Sequence, residues 1–272
     1  MSEAKQTLFV ERVAKTEWIT FQRTEQLNAM STQMLREMAA ALESALADDG
    51  VRTIVLTGSG RAFCAGADLK EVAGAKHAPG EPDLLDLVDH TFGLMRHGPK
   101  PVIAAVNGYA MGGGFMLVEA TDLRIAVPEA IFEVSEAKRW LLGGYNHGHI
   151  AKLPHPVATE MALGFRFTAQ RFYEIGFINR IVEADELIDT AVSMAHHMLT
   201  LPPASRVNTI QMMREMKPKV SGSLEQLAAA LKDHGDKNDL IESRKAFAEK
   251  RIPQFSGWDN PQDRYNPPTL TP

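Results

Sequence analysis

Residues 101–122 constrain the fold most, because this stretch changes from strand-like to helix-like across a run of glycines. Residues 101–106 (PVIAAV) form a short apolar run bounded by turn-forming residues, which predicts a buried strand. The glycines at 112–114 then precede a helix-forming run at 115–120. Glycines that lead into a helix expose N–H groups at its positive end, with no Cβ to keep a ligand away. The stretch therefore predicts a place for an anionic oxygen.

The same construction occurs earlier in the chain. Residues 52–57 (RTIVLT) predict another buried strand, and residues 58–70 supply a small-residue turn and a polar helix start. The repeat of strand, turn and helix predicts parallel strands joined by right-handed crossovers. One N–H donor from each turn could then meet on a single oxygen atom.

Composition excludes several function classes. The 272 residues are 44% hydrophobic and 23% charged, which is enough for one sizeable core and an appendage. A net charge of −5 gives no support to a nucleic-acid or membrane partner. No apolar run is long enough to span a membrane and no signal-peptide pattern opens the sequence, so we expect a cytoplasmic protein. The single cysteine, Cys64, excludes an internal disulfide and is more typical of a packing residue than of a nucleophile.

Periodic patterns predict the elements around the two glycine-rich turns. Alternating charged and apolar positions over residues 8–21 predict a hairpin at the edge of the sheet. Helical spacing over residues 32–48, with Ser31 as the cap, predicts a helix that leads to the strand at 52–57. Residues 204–251 are almost wholly helical in pattern and predict a separate α-layer.

Two motifs, in this order, resemble the crotonase superfamily, the enoyl-CoA hydratase/isomerase group. They are GRAFCAGADLKE at 60–71 and KPVIAAVNGYAMGGG at 100–114, and the resemblance extends over roughly residues 8–251. It implies a crotonase-like α/β fold of repeated ββα units, followed by a helical C-terminal region that mediates a homotrimer, or a hexamer built as a dimer of trimers. The division implied is a core with the acyl-CoA site at 1–200, an oligomerisation region at 201–256 and a tail at 257–272, which we expect to add nothing obvious to the core.

The resemblance also implies catalytic groups. In that family, two backbone N–H groups bind a thioester oxygen, and the motifs place them at Ala67 and Gly113. The family's acid in the stretch FGQPE corresponds to Glu136, at the end of residues 132–136 (FEVSE). Proton movement beside the thioester needs such a side chain. We expect the neighbouring Glu133 to face solvent.

The sequence departs from the family at the second acid. Hydratases place a glutamate where this chain has Met116, and the glutamine that orients it corresponds to Val134. Both changes remove polar groups that would need each other in a buried site. One carboxylate can carry a proton between carbons or support a retro-aldol cleavage, whereas water addition ordinarily uses two. Glu119, one turn beyond Met116, is a weaker replacement for the missing acid.

Substrate contacts follow from the same resemblance. Coenzyme A carries phosphates, and the residues expected beside it or beside the acyl group are Arg61, Ala65, Asp68, Lys70, Met116, Gly144, Phe247 and Lys250. Phe247 and Lys250 would approach the nucleotide from a neighbouring subunit. Trp140 stands where hydratases have glycine, so it either shortens the acyl pocket or packs outward.

Other chemistries remain weaker. His147, His149 and His155 invite a metal site, but histidines two apart do not share a helix face and the reaction needs no metal. Tyr145 or His147 as an auxiliary proton donor is more plausible. No cofactor is expected beyond the coenzyme A of the substrate. Isomerase, hydratase and hydratase-lyase stay open, as does an acyl-CoA-binding or assembly protein with little activity.

Overall fold

The computed structural model describes residues 6–74, 82–138, 142–235 and 237–270, which form two compact units. Of the described residues, the first unit holds those up to Phe132 and Phe167–Met216, and the second holds those of Glu133–Arg166 and Lys217–Pro272. Among the described helices, none has both the length and the apolar character needed to cross a bilayer.

The described elements alternate in type along much of the chain. The strands are β1 (Leu8–Val13), β2 (Thr16–Phe21), β3 (Thr53–Gly58), β4 (Ala62–Cys64), β5 (Val102–Val106), β6 (Tyr109–Met111), β7 (Leu123–Ala126), β8 (Ile131–Glu133), β9 (Arg166–Thr168) and β10 (Arg180–Ile181). The helices are α1 (Thr32–Ala47), α2 (Leu69–Gly74), α3 (Leu84–His97), α4 (Gly113–Glu119), α5 (Tyr145–Ile150), α6 (His155–Ala162), α7 (Ala169–Glu174), α8 (Leu187–Thr200), α9 (Pro203–Glu215), α10 (Gly222–Lys232) and α11 (Lys237–Ala248).

A six-stranded sheet in the order β1-β2-β3-β5-β7-β10 forms the framework of the first unit. The first two strands pair antiparallel, which confirms the predicted hairpin. From β2 onward every pair is parallel, which confirms the predicted parallel strands. The central strand β5 is buried along its whole length, as expected for a parallel strand covered on both faces.

Helix α1 forms where its periodicity predicts it. The Ser31 hydroxyl accepts a hydrogen bond from the Met34 N–H at 3.1 Å and so caps the first turn. The apolar face is fully buried, including Met34, Leu35, Met38 and Leu42. The helix therefore joins β2 to β3 with its apolar stripe in the core.

A second pair of strands, β4 and β6, supports the turns that the sequence singles out. The strands pair in parallel with an irregular register, and helix α4 packs against both. Each strand has three residues, too few to give a hydrophobic period. For that reason the sequence predicts the turns but not the short strands.

A buried ion pair ties the end of α9 to the sheet of the first unit. The Arg214 Nε and Nη2 atoms donate to the Asp122 carboxylate at 2.8 and 2.6 Å. The same guanidinium donates to the carbonyl oxygens of Gly98 and Lys100. Asp122 also accepts the Val102 N–H at 2.8 Å, at the start of β5. One arginine thus connects the beginning of β5, the loop before β7 and α9.

The second unit holds α5, α6, α10 and α11 with the C-terminal segment. The Ser243 hydroxyl on α11 donates to the Lys138 carbonyl at 2.6 Å, at the end of a 3-10 helix, Glu136–Lys138. The tail is fastened to α11 through Asp239, which accepts the Ser256 N–H at 2.7 Å. No described residue of the predicted tail is buried.

Candidate active site

The turn after β4 is fixed by the segment before α1. The Met30 N–H donates to the Gly66 carbonyl at 2.8 Å, and the Asp68 N–H donates to the Met30 carbonyl at 2.9 Å. Together these bonds make a parallel bridge between Met30 and Ala67. The bridge uses the Gly66 carbonyl and the Asp68 N–H, so it leaves the Ala67 N–H available to another acceptor.

Helix α4 begins directly after a glycine in a conformation that other residues rarely adopt. Gly112 has φ 52° and ψ −120° and caps the helix without a side chain. Gly113 is the first helical residue, so its N–H precedes the helical hydrogen-bond ladder. This N–H stands at the positive end of the helix, where an anionic oxygen is stabilised.

The two turns lie close together. A Cβ built on Gly66 would lie 3.2 Å from the Gly113 nitrogen, and one built on Gly113 would lie 3.8 Å from the Ala67 nitrogen. With standard bond lengths these distances limit the separation of the two nitrogens to about 6 Å. One oxygen atom can accept hydrogen bonds of about 2.9 Å from both donors when their nitrogens lie within about 5.8 Å of each other, and the contacts at Gly66 and Gly113 are compatible with such a separation.

Close packing between α4 and β4 sets the distance between these two elements. A Cβ on Gly114 would lie 2.0 Å from the Cys64 carbonyl oxygen, so the helix can approach β4 only with glycine there. Cys64 is buried, in agreement with the expected packing role. Burial raises the pKa of its thiol to about 12, against the smaller opposing effects of the Gly66 N–H and the Arg23 charge.

The far end of α4 is held by a half-buried arginine. Arg124 donates from Nε to the Val118 carbonyl at 3.0 Å, and from Nη2 to the carbonyls of Glu119 and Thr121 at 3.0 and 2.9 Å. Its guanidinium lies 4.3 Å from the centre of the Phe177 ring. A cation at the carbonyl end of the helix satisfies groups that would otherwise lack partners. The position of the Gly113 N–H is therefore fixed from both ends of the helix.

Replacing Gly114 by alanine tests whether the distance between α4 and β4 affects catalysis. We expect catalytic turnover to fall about 100-fold, because the helix must move away from β4 and carry the Gly113 N–H with it. Steady-state kinetics with a CoA thioester measure the effect. Gly93→Ala is the matched control, since a Cβ there meets nothing within 4 Å. Unchanged turnover in Gly114→Ala would show that this packing does not set the donor.

A polar residue that the sequence did not single out holds the turn after β3. Asn28 is fully buried, and its Nδ2 donates to the Ser59 and Ala62 carbonyls at 3.0 and 2.7 Å. Its Oδ1 accepts the Arg23 N–H at 2.9 Å. Asn28 has a left-handed backbone (φ 55°), which asparagine tolerates better than most residues.

Asp68, expected beside the substrate, is engaged within the protein. Arg23 Nη2 donates to its Oδ2 at 2.9 Å, and the Lys70 N–H donates to its Oδ1 at 3.2 Å. Burial acts to raise the pKa of Asp68, but the hydrogen bond and charge of Arg23, together with the Glu71 and Lys70 N–H groups, outweigh it and hold that pKa below its ordinary value. Asp68 thus fixes the turn that presents Ala67.

The second turn of α4 carries Met116 and Glu119. Met116 is half-buried one turn after Gly113. Glu119 is only 2% exposed, and Arg96 Nη2 on α3 donates to its Oε2 at 2.7 Å. This pairing gives Glu119 a structural role, so the geometry does not favour it as a replacement for the missing acid.

In the second unit, Glu136 begins the 3-10 helix and lies beside α5. Its side chain is 22% exposed, and its Oε1 lies 3.5 Å from the Nε2 of His147, whose side chain is 10% exposed. Gly144 is buried and caps α5. The structure therefore brings Glu136, Gly144 and His147 together.

The expectation that Glu133 faces solvent is wrong. The residue is 4% exposed, and its carboxylate lies between two cations, at 2.8 Å from Arg166 Nε and 3.1 Å from Lys138 Nζ. A buried carboxylate persists only with such partners. Arg166 is 33 residues away in the chain, so the local sequence around Glu133 does not indicate this partner.

The remaining expected substrate residues are spread over both units. Arg61 and Lys70 are exposed and Ala65 is half-buried in the first unit. In the second unit Phe247, which is 53% exposed, lies in the last turn of α11, and the exposed Lys250 follows that helix. Trp140 lies outside the described residues. Within the described part of the chain, no three histidine, cysteine or carboxylate side chains are grouped so that they could hold a metal ion.

Known proteins share this sequence pattern and fold. The profile of the enoyl-CoA hydratase/isomerase family matches residues 11–259. Enoyl-CoA hydratase EchA19 of Mycobacterium tuberculosis is 32% identical over 262 residues, covering 90% of this chain and 95% of that protein. The 1,2-epoxyphenylacetyl-CoA isomerase of Escherichia coli is 32% identical over 259 residues, covering 88% and 94%.

A solved structure agrees with these relatives. Carnitinyl-CoA hydratase from Mycobacterium avium superposes with a TM-score of 0.78 at 32% identity, covering 93% of this chain and 99% of that one. The crotonase-like fold predicted from the two glycine-rich motifs is confirmed. The chain belongs to the enoyl-CoA hydratase/isomerase family.

Proposed function

We propose that this chain converts an acyl-CoA thioester through an enolate, by double-bond isomerisation or by a lyase reaction. The thioester oxygen accepts the N–H groups of Ala67 and Gly113, which stabilise the negative charge that develops on it. The close approach of the two turns supports this assignment. Each donor contributes on the order of 3 kcal/mol to lowering the barrier.

Glu136 moves the proton in this proposal. Its carboxylate takes the α-hydrogen as a proton, the C–H electron pair forms the enolate C=C bond, and the carbonyl π pair moves to oxygen. In a 3-enoyl thioester the protonated acid then returns the proton to the γ-carbon, which leaves a conjugated 2-enoyl thioester. This requires Glu136 and the two N–H groups to act on one substrate molecule. No cofactor is needed beyond the coenzyme A of the substrate.

One observation carries the choice of isomerisation or cleavage over hydration. Met116 and Val134 are both apolar. At the positions to which the resemblance assigns them, hydratases have a glutamate and the glutamine that orients it. Val134 is fully buried and Met116 half-buried, so neither position offers a polar group to hold a water molecule. Glu136 is then the single acid of the proposed site.

The CoA moiety is assigned to basic residues around the first turn. Arg61 and Lys70 are exposed and can meet phosphates. Phe247 and Lys250 are also exposed, which supports their approach to the nucleotide of a neighbouring subunit in a trimer or hexamer. A cytoplasmic location fits a substrate of this kind.

The reaction is tested by following the absorbance of the conjugated thioester with two substrates. We expect trans-3-hexenoyl-CoA to gain absorbance as the double bond moves into conjugation, and crotonyl-CoA to keep its absorbance. Loss of absorbance from crotonyl-CoA would instead identify a hydratase. The relative EchA19 carries that name. Release of an aldehyde from a 3-hydroxyacyl-CoA would identify the lyase.

A binding or assembly protein gives a different result. It would leave the absorbance of both trans-3-hexenoyl-CoA and crotonyl-CoA unchanged, and it would not exchange the α-hydrogen of butyryl-CoA with D2O. Those combined outcomes would contradict the proposed enolate chemistry.

A further inference from the structure

His147 on α5 lies against the proposed acid. Its Nε2 is 3.5 Å from Glu136 Oε1, and both side chains are mostly shielded from solvent. A separation of 3.5 Å is longer than a good hydrogen bond, but such contacts commonly shorten when substrate binds. The pair is partly buried, so the attraction between the two groups is screened less than on the surface.

The ring of His147 occupies a slot shaped by its neighbours. A Cβ on Gly144 would lie 2.4 Å from His147 Cδ2 and 2.5 Å from Val134 Cγ1. Glycine at 144 therefore makes room for the imidazole beside the buried valine. The apolar residue at 134 serves this arrangement, because a longer polar side chain there would compete for the same space.

The helix that carries His147 is held from its other side. A Cβ on Gly148 would lie 2.7 Å from the Ala158 Cβ on α6, so α5 and α6 are in close contact. The His147 backbone takes part in the helix, since its carbonyl accepts the Ala151 N–H at 3.0 Å. Helix α5 therefore holds the imidazole toward Glu136.

Lys138 and His149 lie close to Glu136 and His147 in the sequence but do not pair with Glu136 in the described structure. Lys138 Nζ lies 3.1 Å from Glu133 Oε1. His149, two residues after His147, is exposed. His147 is thus distinguished from both by its burial and by its contact with the acid.

We propose that His147 is a positioning residue for Glu136, an inference that rests on the proposed function. Its Nε2–H donates to Oε1 and fixes the carboxylate so that Oε2 takes the α-hydrogen of the thioester. Donation to the carboxylate favours its ionised form, which is the form that accepts a proton. His147 does not itself contact the reacting carbon.

The test measures exchange of the α-hydrogen of butyryl-CoA with D2O by mass spectrometry in three variants. We expect His147→Ala to lower the rate at saturating substrate by about 10- to 100-fold with little change in KM, since the CoA ester still binds. His147→Gln keeps an N–H donor of similar reach and should recover at least part of the rate. His149→Gln is the matched control and should behave like the unmodified chain.

Each outcome separates this inference from the proposed function. Full activity of His147→Ala, in a protein in which Glu136→Gln is inactive, would overturn the role of His147 alone. An equal loss in His147→Ala and His147→Gln, with unfolding curves like those of the unmodified chain, would also overturn it. Activity in Glu136→Gln, or no exchange by the unmodified chain, would overturn the proposed function itself.

Discussion

Replacing Glu136 by glutamine is expected to lower α-hydrogen exchange on butyryl-CoA by about 1,000-fold while leaving CoA-ester binding intact. Glutamine keeps the shape of the side chain but cannot accept a proton, and general acid–base groups contribute about 100- to 10,000-fold. The N–H groups of Ala67 and Gly113 are untouched, so the thioester still binds. Exchange by mass spectrometry and binding by calorimetry measure the two effects separately.

The control for this substitution is Glu160→Gln. Glu160 lies on α6 in the same unit and is exposed, so its loss changes charge by the same amount without touching the proposed acid. We expect its exchange rate to match the unmodified chain. A Glu136→Gln protein that exchanges hydrogen at the normal rate would remove Glu136 from the mechanism, and a fall that comes entirely from weaker binding would give it a binding role instead.

Replacing Arg214 by methionine is expected to lower the free energy of unfolding by about 3–5 kcal/mol. The substitution leaves the Asp122 carboxylate buried without its cation and removes donors from the Gly98 and Lys100 carbonyls. For a single domain the normal free energy of unfolding is about 5–15 kcal/mol, so a large part of the stability is at stake. Urea unfolding followed by circular dichroism measures the change.

Two further variants show whether the loss comes from the ion pair. Arg36→Met removes an exposed arginine from α1 and should change stability by less than about 0.5 kcal/mol. Arg214→Met combined with Asp122→Asn should cost less than the sum of the single substitutions, because the uncompensated charge is gone while an oxygen stays for the Val102 N–H. Strict additivity would argue against a direct coupling of Arg214 with Asp122.

Local patterns predicted much of the fold. Alternation at residues 8–21 predicted the hairpin, and helical spacing with Ser31 predicted α1. The glycine-rich turns predicted where strands pass into helices, and the resemblance on those turns predicted the family. These features depend on residues close together in the chain, which is where sequence patterns are informative.

Long-range contacts could not be predicted in this way. Arg214 and Asp122 are 92 residues apart, and neither has a neighbour that indicates the other. Glu133 was expected to face solvent because its local sequence is charged, but Arg166 supplies a partner that the local sequence does not contain. The place of His147 depends on how α5 lies against residue 136, which spacing alone does not determine.

The buried thiol beneath α4 has a practical consequence. Only the thiolate reacts readily with alkylating agents and disulfide reagents, and the protonated, enclosed Cys64 offers very little of it. Because Cys64 is the only cysteine in the sequence, modification of the protein by a thiol-specific reagent reports molecules in which β4 and α4 have separated. The labelling rate of Cys64 therefore measures how often the structure beneath the proposed oxyanion site opens locally.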